Sequence, residues 1–211
     1  NIFFILFQYF QGNFDSHKLS ISFFSFFFLN FLLKDIEAPG NVIIDKELDS
    51  EERRNAFKEW TQCAKRNGSI IIAQLFHPGK YAADLPHKTD FNINKLTRKQ
   101  IAELINEYAY AASYAQQCGF NGVEISCTYF FALGQLITSS DNIRNDEFGG
   151  KLENRAKILF KIIQAIRYQF SKKFFHLVIY KFFPNYFFLT INLSKFYKFF
   201  EKFKLTHIIS I

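Results

Sequence analysis

Methionine is absent from this chain of 211 residues, and tryptophan, cysteine and proline are scarce. A chain without methionine has no initiator residue, so we expect it to be a fragment or a wrongly assembled gene product. The three cysteines, Cys63, Cys118 and Cys127, form no CxxC pair and no metal-ligand spacing with histidine. They therefore predict reduced thiols in a cytoplasmic protein, and neither a disulfide framework nor a metal site.

Long uninterrupted apolar runs are also absent. Residues 19–33 carry no charge, but they fall short of the ~20 residues that a membrane-spanning helix needs. Asn30 interrupts this run, and no small-residue cleavage site of a signal peptide follows it. We therefore predict that no membrane is a partner, and a chain tethered through residues 19–33 is the weaker alternative.

Positive charge is in excess, but it is confined to one part of the chain. The net charge is +7, which would ordinarily indicate nucleic acid or an anionic membrane as a partner. Seven lysines and one glutamate in residues 170–211 account for nearly all of it, and residues 34–169 are almost neutral. We therefore predict no nucleic-acid partner.

Phenylalanine is the residue most over-represented, with 30 copies. Residues 1–33 and 170–211 hold 11 each, so the middle of the chain holds only eight. The residues that build these flanks have A/T-rich codons, a composition typical of translated non-coding DNA. We therefore predict three segments: Phe-rich flanks at 1–34 and 170–211 that lie outside the fold, and a folded unit at 35–169.

Short apolar runs alternate with amphipathic segments in the middle of the chain. The runs 42–45, 70–76 and 123–125 are predicted strands, and 70–76 has the composition of a strand buried on both faces. Strand and helix in regular alternation predict right-handed βαβ units and a parallel sheet. Chemistry in such folds gathers on loops after the carboxyl ends of the strands.

Three helices are predicted between and after these strands. The first has Asp49 as N-cap with Glu52 completing a capping box, and the second starts at a capping box of Thr97 and Gln100. Glycines that can adopt positive φ end these helices at Gly68 and Gly119. The predicted apolar faces are Ala56, Phe57, Trp60, Cys63 and Ala64 in the first helix; Ile101, Leu104, Ile105, Tyr108, Ala109, Ala112 and Ala115 in the second; and Leu152, Ile158, Leu159, Ile162, Ile163 and Ile166 in the third.

Three stretches of the chain resemble one known family in its own order and spacing. QLFHPGK (Gln74 to Lys80) resembles the family's QLWHAGR strand and loop, and GFNGVEI (Gly119 to Ile125) resembles its GFDGVEIH strand. NIRNDEFGGKLENRAKIL (Asn142 to Leu159) resembles NKRTDEYGGSLENRARFL, the most specific of the three. The segment 35–169 thus resembles the N-terminal half of an old yellow enzyme, an FMN-dependent NADH:flavin oxidoreductase.

The resemblance implies a fold, cofactors and a reaction. The fold is α/β, a partial (β/α)8 TIM barrel, because a complete barrel takes about 250 residues. The implied cofactors are FMN and NAD(P)H. NAD(P)H would reduce the flavin by hydride transfer, and the flavin would pass hydride to a small-molecule acceptor such as an enone.

Two polar residues after the second strand match family positions. Gln74 matches the glutamine whose amide binds the pyrimidine edge of the flavin, where an amide can both donate and accept. A polar residue that only caps the strand end is the alternative. His77 lies near the rim of the family's substrate pocket, and a structural histidine bonded to backbone is its alternative.

The chain departs from the family after GVEI, where the family shows H-x-x-H or H-x-x-N and then G-Y. Ser126 and Tyr129 stand at the positions of the two substrate-polarising donors, and Phe131 stands at that of the proton-donating tyrosine. Serine is shorter than imidazole, and Phe131 has no hydroxyl. We therefore expect ene-reduction to be badly impaired, because both donors and a general acid contribute to it.

Two further expectations concern the rest of the motif and the missing parts. The signature residues are interpreted as a structural network that holds a long loop on the third helix: Asn142, Arg144, Asp146, Glu153, Asn154 and Arg155. The family's phosphate-binding loops are not recognisable in the sequence, so we expect this chain to bind little or no FMN. A non-catalytic fragment or pseudo-enzyme that binds no flavin is the alternative function.

Overall fold

The computed structural model of the chain describes residues 26–33, 42–66, 68, 70–79, 91–128, 131–169, 175–180 and 208–210. Its strands are β1 (Phe26–Leu33), β2 (Val42–Ile44), β3 (Ile70–Phe76), β4 (Gly122–Ser126), β5 (Phe175–Tyr180) and β6 (Ile208–Ser210). Its helices are α1 (Glu51–Lys65), α2 (Arg98–Gln117), α3 (Ala132–Ile137), α4 (Leu152–Arg155) and α5 (Lys157–Gln169).

The described strands form a single sheet in the order β2-β1-β3-β4-β5-β6, and every neighbouring pair is parallel. β3 lies between β1, which precedes it in the chain, and β4, which follows it. The α/β class and the parallel sheet predicted from the alternation are therefore confirmed. The predicted strand at 70–76 has the observed bounds.

The sheet extends into both Phe-rich flanks. β1 lies before residue 35 and pairs with β3 from Phe26–Ile70 to Leu32–Phe76, and β5 and β6 lie beyond residue 169. The observed sheet is therefore wider than the predicted folded unit. Aromatic and β-branched residues have high strand propensity, so a Phe-rich composition is compatible with strands.

No described helix is long and apolar enough to cross a bilayer. The apolar run for which a membrane tether was the alternative supplies the strand β1 at residues 26–33. Residues 19–25 of that run lie outside the described ranges.

The prediction that Asp49 caps the first helix is wrong by one residue. Ser50 is the N-cap of α1, and its hydroxyl accepts a hydrogen bond from the backbone N–H of Arg53 at 3.1 Å. The carboxylate of Asp49 instead pairs with the Arg54 guanidinium and accepts the hydroxyl of Tyr110 at 2.8 Å. Two adjacent residues with good capping propensity cannot be ranked by type alone, and the tertiary contact with α2 decides between them.

The predicted apolar face of α1 is also partly wrong. Phe57 and Thr61 are its buried residues, whereas Trp60 is 43% exposed and Cys63 is exposed. The Thr61 hydroxyl donates to the Cys118 carbonyl at 2.7 Å, so a polar residue is satisfied inside this contact. A periodicity argument that counts only apolar residues misses such a position.

α2 and α5 pack against each other, and both contribute buried residues to the hydrophobic core. The capping box of Thr97 and Gln100 is present, since each accepts the other's backbone N–H, at 3.2 and 2.9 Å. The predicted face of α2 is confirmed except for Ile105, which is only partly buried, and Ala111 and Tyr114 are also buried. α5 buries Ile158, Leu159, Phe160, Ile162, Ile163 and Ile166.

The region between β4 and α5 is more regular than predicted. It contains the short helix α3, all of whose residues are buried, and the predicted third helix is two helices, α4 and α5, that meet at Ala156. The positive φ values predicted for Gly68 and Gly119 are present, at 78° and 89°.

Candidate functional site at the carboxyl ends of β3 and β4

The two faces of β3 and β4 differ in character. Ala73, Leu75, Val123 and Ile125 belong to the hydrophobic core. Because successive side chains of a strand point to opposite faces, the alternating residues Gln74, Phe76, Glu124 and Ser126 lie on the other face. This face carries the polar groups of the site, and Glu124 and Ser126 on it are buried.

Gln74 and Glu124 are the central pair of this face. They are direct partners in the parallel register of β3 and β4. The side-chain Nε2 of Gln74 donates to Oε1 of Glu124 at 2.5 Å, and Glu124 has no exposed surface. The predicted flavin ligand is therefore held by a buried carboxylate on the neighbouring strand.

Ser126 ends β4 on the same face as Glu124. Its side chain is 2% exposed, and its Oγ lies 3.1 Å from Oγ1 of Thr128, where either hydroxyl can donate. The next residue, Cys127, is fully buried. Burial has the largest effect in raising the pKa of its thiol, and the negative charge of Glu124 raises it further. Cys127 is therefore a protonated thiol at neutral pH, so the polar group offered here is the Ser126 hydroxyl.

His77 is a buried, neutral histidine. Burial lowers its pKa to about 4. Its Nδ1 accepts the backbone N–H of Gly79 at 3.0 Å, which leaves the proton on Nε2. The imidazole ring packs on Phe91 with centroids 4.2 Å apart, and the His77 carbonyl accepts the N–H of Ala132 at 2.9 Å. These contacts match the structural alternative stated for His77, a histidine bonded to backbone.

Phe131 is the N-cap residue of α3 and contacts the end of β3. Its ring stacks on Phe76 with centroids 4.4 Å apart, and its backbone N–H donates to the Thr128 carbonyl at 2.8 Å. The structure thus brings the predicted proton-donor position to the same strand end as Gln74 and His77. Tyr129, the predicted second donor, lies outside the described residues.

A network of polar side chains fastens the segment between α3 and α5. The amide of Asn142 donates to the carbonyls of Leu136 and Phe148, at 2.5 and 2.8 Å. Arg155 donates to the Ile137 carbonyl at 2.6 Å and to the Gly150 carbonyl. These bonds join the end of α3 to the turn before α4.

A second part of this network ties the segment to the residues before α2. Arg144 forms a two-pronged pair with Asp146 and also donates to the Ile93 carbonyl at 2.7 Å. The guanidinium of Arg144 lowers the pKa of Asp146. Asn94 donates to the Asp141 carbonyl at 2.9 Å. The predicted role of the signature, to hold a long loop in place, agrees with these contacts.

Glu124 is the partner that sequence reasoning did not connect to the site. Only the register of β3 and β4, which aligns Gln74 with Glu124, places the two side chains together. Within the described residues, no group of three or more His, Cys, Asp or Glu side chains could hold a metal ion.

A family comparison agrees with this geometry. Residues 44–190 match the model of the NADH:flavin oxidoreductase / NADH oxidase family. The chain belongs to this family. The match starts in β2 and runs beyond β5, so it covers the site strands β3 and β4 and passes residue 169.

Two named relatives are similar to more than half of the chain. The NADH-dependent flavin oxidoreductase nadA of Aspergillus parasiticus is 33% identical in an alignment of 149 residues that covers 62% of this chain and 34% of the relative. The NADPH dehydrogenase of Clostridium acetobutylicum is 31% identical in an alignment of 148 residues that covers 64% of this chain and 44% of the relative. The matched region therefore spans less than half the length of either relative.

Solved structures share the fold at lower identity. The old yellow enzyme homologue from Zymomonas mobilis superposes with a TM-score of 0.61 at 23% identity, over 74% of this chain and 50% of that one. Old yellow enzyme from Pichia sp. AKU4542 gives a TM-score of 0.60 at 20% identity, over 74% and 46%. At these identities the likeness supports the fold alone.

Proposed function

We propose that this chain supplies the ring-binding part of an FMN-dependent NAD(P)H oxidoreductase of the old yellow enzyme type. The observation that carries the proposal is the Gln74 amide at the carboxyl end of a central parallel strand, where its donor and acceptor match the pyrimidine edge of a flavin. When bound, FMN would supply hydride chemistry between a nicotinamide and an acceptor. The parallel sheet would be about half of a (β/α)8 barrel.

The residues around Gln74 suit this role in two ways. Phe76 and Phe131 present a stacked apolar pair at the same strand end, which would exclude water from a bound ring. Ser126 offers a buried hydroxyl that can donate to a small-molecule acceptor. The acceptor class we propose is an enone, and a relative from Oryza sativa that is 29% identical carries the name putative 12-oxophytodienoate reductase 4.

A second candidate is supported by Phe131. Its ring has no ionisable proton and is engaged with Phe76, so it cannot protonate a substrate carbon. A chain of this kind would keep the fold without the reaction, as a non-catalytic fragment or pseudo-enzyme. Flavin binding distinguishes the two candidates.

The test is a titration of the purified 211-residue chain with FMN and with riboflavin, followed by quenching of flavin fluorescence. The described site residues would contact the flavin ring, and no phosphate site is recognised in the sequence, so we expect both flavins to bind weakly and within about twofold of each other. Gln74→Ala should weaken both by about tenfold, the value of one or two hydrogen bonds. Glu103→Gln, an exposed change on α2, is the control and should change neither.

The outcomes separate the candidates. Quenching that depends on Gln74 supports the proposed function. Absence of quenching by either flavin would favour the non-catalytic candidate. Stoichiometric FMN on the purified chain would contradict the expectation that the chain alone holds little of it, and would support the oxidoreductase more strongly.

A further inference from the structure

The amide of Gln74 has a fixed neighbour on one side. Glu124 faces it across the β3–β4 register, is completely buried, and accepts a hydrogen bond from Nε2 at 2.5 Å. In this bond Glu124 accepts, and the nitrogen end of the Gln74 amide faces it. A flipped amide would place the Gln74 carbonyl oxygen against the same acceptor atom.

The bond to Glu124 determines which hydrogen-bonding groups of Gln74 remain for a ligand. An amide carries two N–H donors and a carbonyl oxygen. With one N–H bound to Glu124, one N–H donor and the acceptor Oε1 of Gln74 remain with respect to the side chains that the structure describes. Such a pair complements an adjacent C=O and N–H on a ring, which is the pattern of the imide edge of a flavin pyrimidine.

We infer that Glu124 is a positioning residue that fixes the amide of Gln74 in one orientation, and thereby makes the site select a ring edge that carries an imide N–H. The inference rests on the proposed flavin contact of Gln74. Glu124 itself does not touch the flavin in this scheme; it acts through Gln74.

The burial of Glu124 agrees with a role beyond packing. A carboxylate without exposed surface is costly in the folded state unless it is hydrogen-bonded. The neighbouring strand residues of β3 and β4 are otherwise mostly apolar, and Ile72 and Phe76 on the same face of β3 are buried. An apolar residue at position 124 would therefore favour folding, whereas a carboxylate adds a directional acceptor.

The first test compares riboflavin with 3-methylriboflavin, which lacks the imide N–H. The wild-type chain should bind riboflavin about tenfold more tightly, the value of one well-placed hydrogen bond. Gln74→Ala measures the steric effect of the methyl group alone. Glu124→Gln keeps the size but offers both donor and acceptor, so its preference for riboflavin should fall to that of Gln74→Ala.

A double-mutant cycle separates positioning from a general structural effect. If Glu124 acts through Gln74, then Glu124→Gln should cause no further loss of riboflavin binding in the Gln74→Ala background. The inference is overturned if Glu124→Gln keeps the wild-type preference, or weakens both flavins equally, or adds its full effect to Gln74→Ala. Should Glu124→Gln fail to fold, Glu124→Asp, which retains the acceptor at shorter reach, is expected to reduce the preference.

A second measurement is independent of flavin. In 1H–15N spectra, the signals of the Gln74 side-chain amide are assigned by their loss in Gln74→Ala. The chemical shifts of its two N–H protons should be well separated, because one proton is bound to Glu124. Glu124→Gln should bring the two together, and Glu103→Gln should not. If neither flavin binds, the proposed function fails, and these signals still decide whether Glu124 fixes the amide: unchanged signals in Glu124→Gln would refute it.

Discussion

The rings of Phe76 and Phe131 stack with their centroids 4.4 Å apart and their planes inclined by 30°. Phe76 ends β3, and Phe131 is the N-cap residue of α3. The stack therefore joins the strand that carries Gln74 to the residue that the sequence resemblance predicts at the position of the proton donor. For proton transfer, the resemblance would require a hydroxyl group on the ring of residue Phe131.

Phe131→Tyr should supply that oxygen without changing the stack. In the chain loaded with FMN, we expect NAD(P)H-dependent reduction of 2-cyclohexenone to rise by at least about 10², the contribution of a general acid. The rate of 2-cyclohexenone reduction is measured as the oxidation of NAD(P)H in the absence of oxygen. Phe76→Tyr, which places a hydroxyl on the other ring, is the matched control and should bring no such gain. Equal rates for wild type and Phe131→Tyr would show that this position does not deliver the proton.

The free energy of unfolding should depend on pH through His77. The pKa of His77 is about 4 in the folded chain because the ring is buried, against 6.5 in an exposed histidine. Between these values the unfolded chain binds more protons, so stability is full above pH 6.5 and falls as the pH drops toward 4. The total loss is about 3 kcal/mol.

Urea unfolding at pH 7 and pH 5 measures this dependence. His77→Asn keeps a side-chain acceptor for the Gly79 N–H but does not titrate, and its stability should change much less between the two pH values. Asp49 and Asp146 have lowered pKa values, so their contributions are lost only at more acidic pH. A wild-type stability that is equal at both pH values would contradict the neutral, buried state of His77.

Arg144→Met should destabilise the chain substantially. The Arg144 side chain is only 6% exposed, pairs with Asp146 and donates to the Ile93 carbonyl. Its loss removes the cation beside Asp146 and the guanidinium donor to the Ile93 carbonyl, and leaves Asp146 with the Phe148 N–H. We expect a loss of about 2–3 kcal/mol in chemical denaturation. Lys99→Met breaks the exposed pair with Glu103 and should cost less than about 0.5 kcal/mol. Similar losses of unfolding free energy for both variants would mean that Arg144 does not hold the segment between α3 and α5 in place.

The two glycines before α4 should respond differently to alanine. A Cβ at Gly149 would lie 1.9 Å from the Arg144 carbonyl oxygen, whereas a Cβ at Gly150 meets nothing within 4 Å, although φ is +73°. Gly150→Ala should therefore cost about 1–2 kcal/mol from backbone strain alone. Gly149→Ala must displace backbone and should cost more than Gly150→Ala. Thermal unfolding of both variants gives the order, and a reversed order would contradict the described turn.

The elements that could be predicted are those that local sequence determines. The unbroken apolar run of β3 and the reciprocal capping pair of Thr97 and Gln100 depend on near neighbours in the chain, and both have the predicted bounds or bonds. The cap of α1 could not be resolved between Asp49 and Ser50, because a contact with Tyr110 on α2 engages Asp49.

The candidate site shows the same division. The sequence resemblance indicated Gln74, and the structure places it at the expected strand end. Its partner Glu124 lies 50 positions away in the chain, and only strand register aligns the two. The stack of Phe76 on Phe131 likewise depends on α3, a helix too short and too uniformly buried to show an amphipathic period.

The position of β1 in the sheet has a consequence for the rate of folding. β1 comes first among the described strands, yet it lies between β2 and β3 in the sheet. The other edge of β3 pairs with β4, which comes later in the chain. The pairings of β1 with β3, β3 with β4 and β4 with β5 each close a long loop, as Ile72 with Gly122 and Gly122 with Phe175 show. Loop closure on this scale makes parallel sheets slow to form. During synthesis β3 can therefore pair with β1 while β4 is still being made, and its other edge stays open to association with other chains.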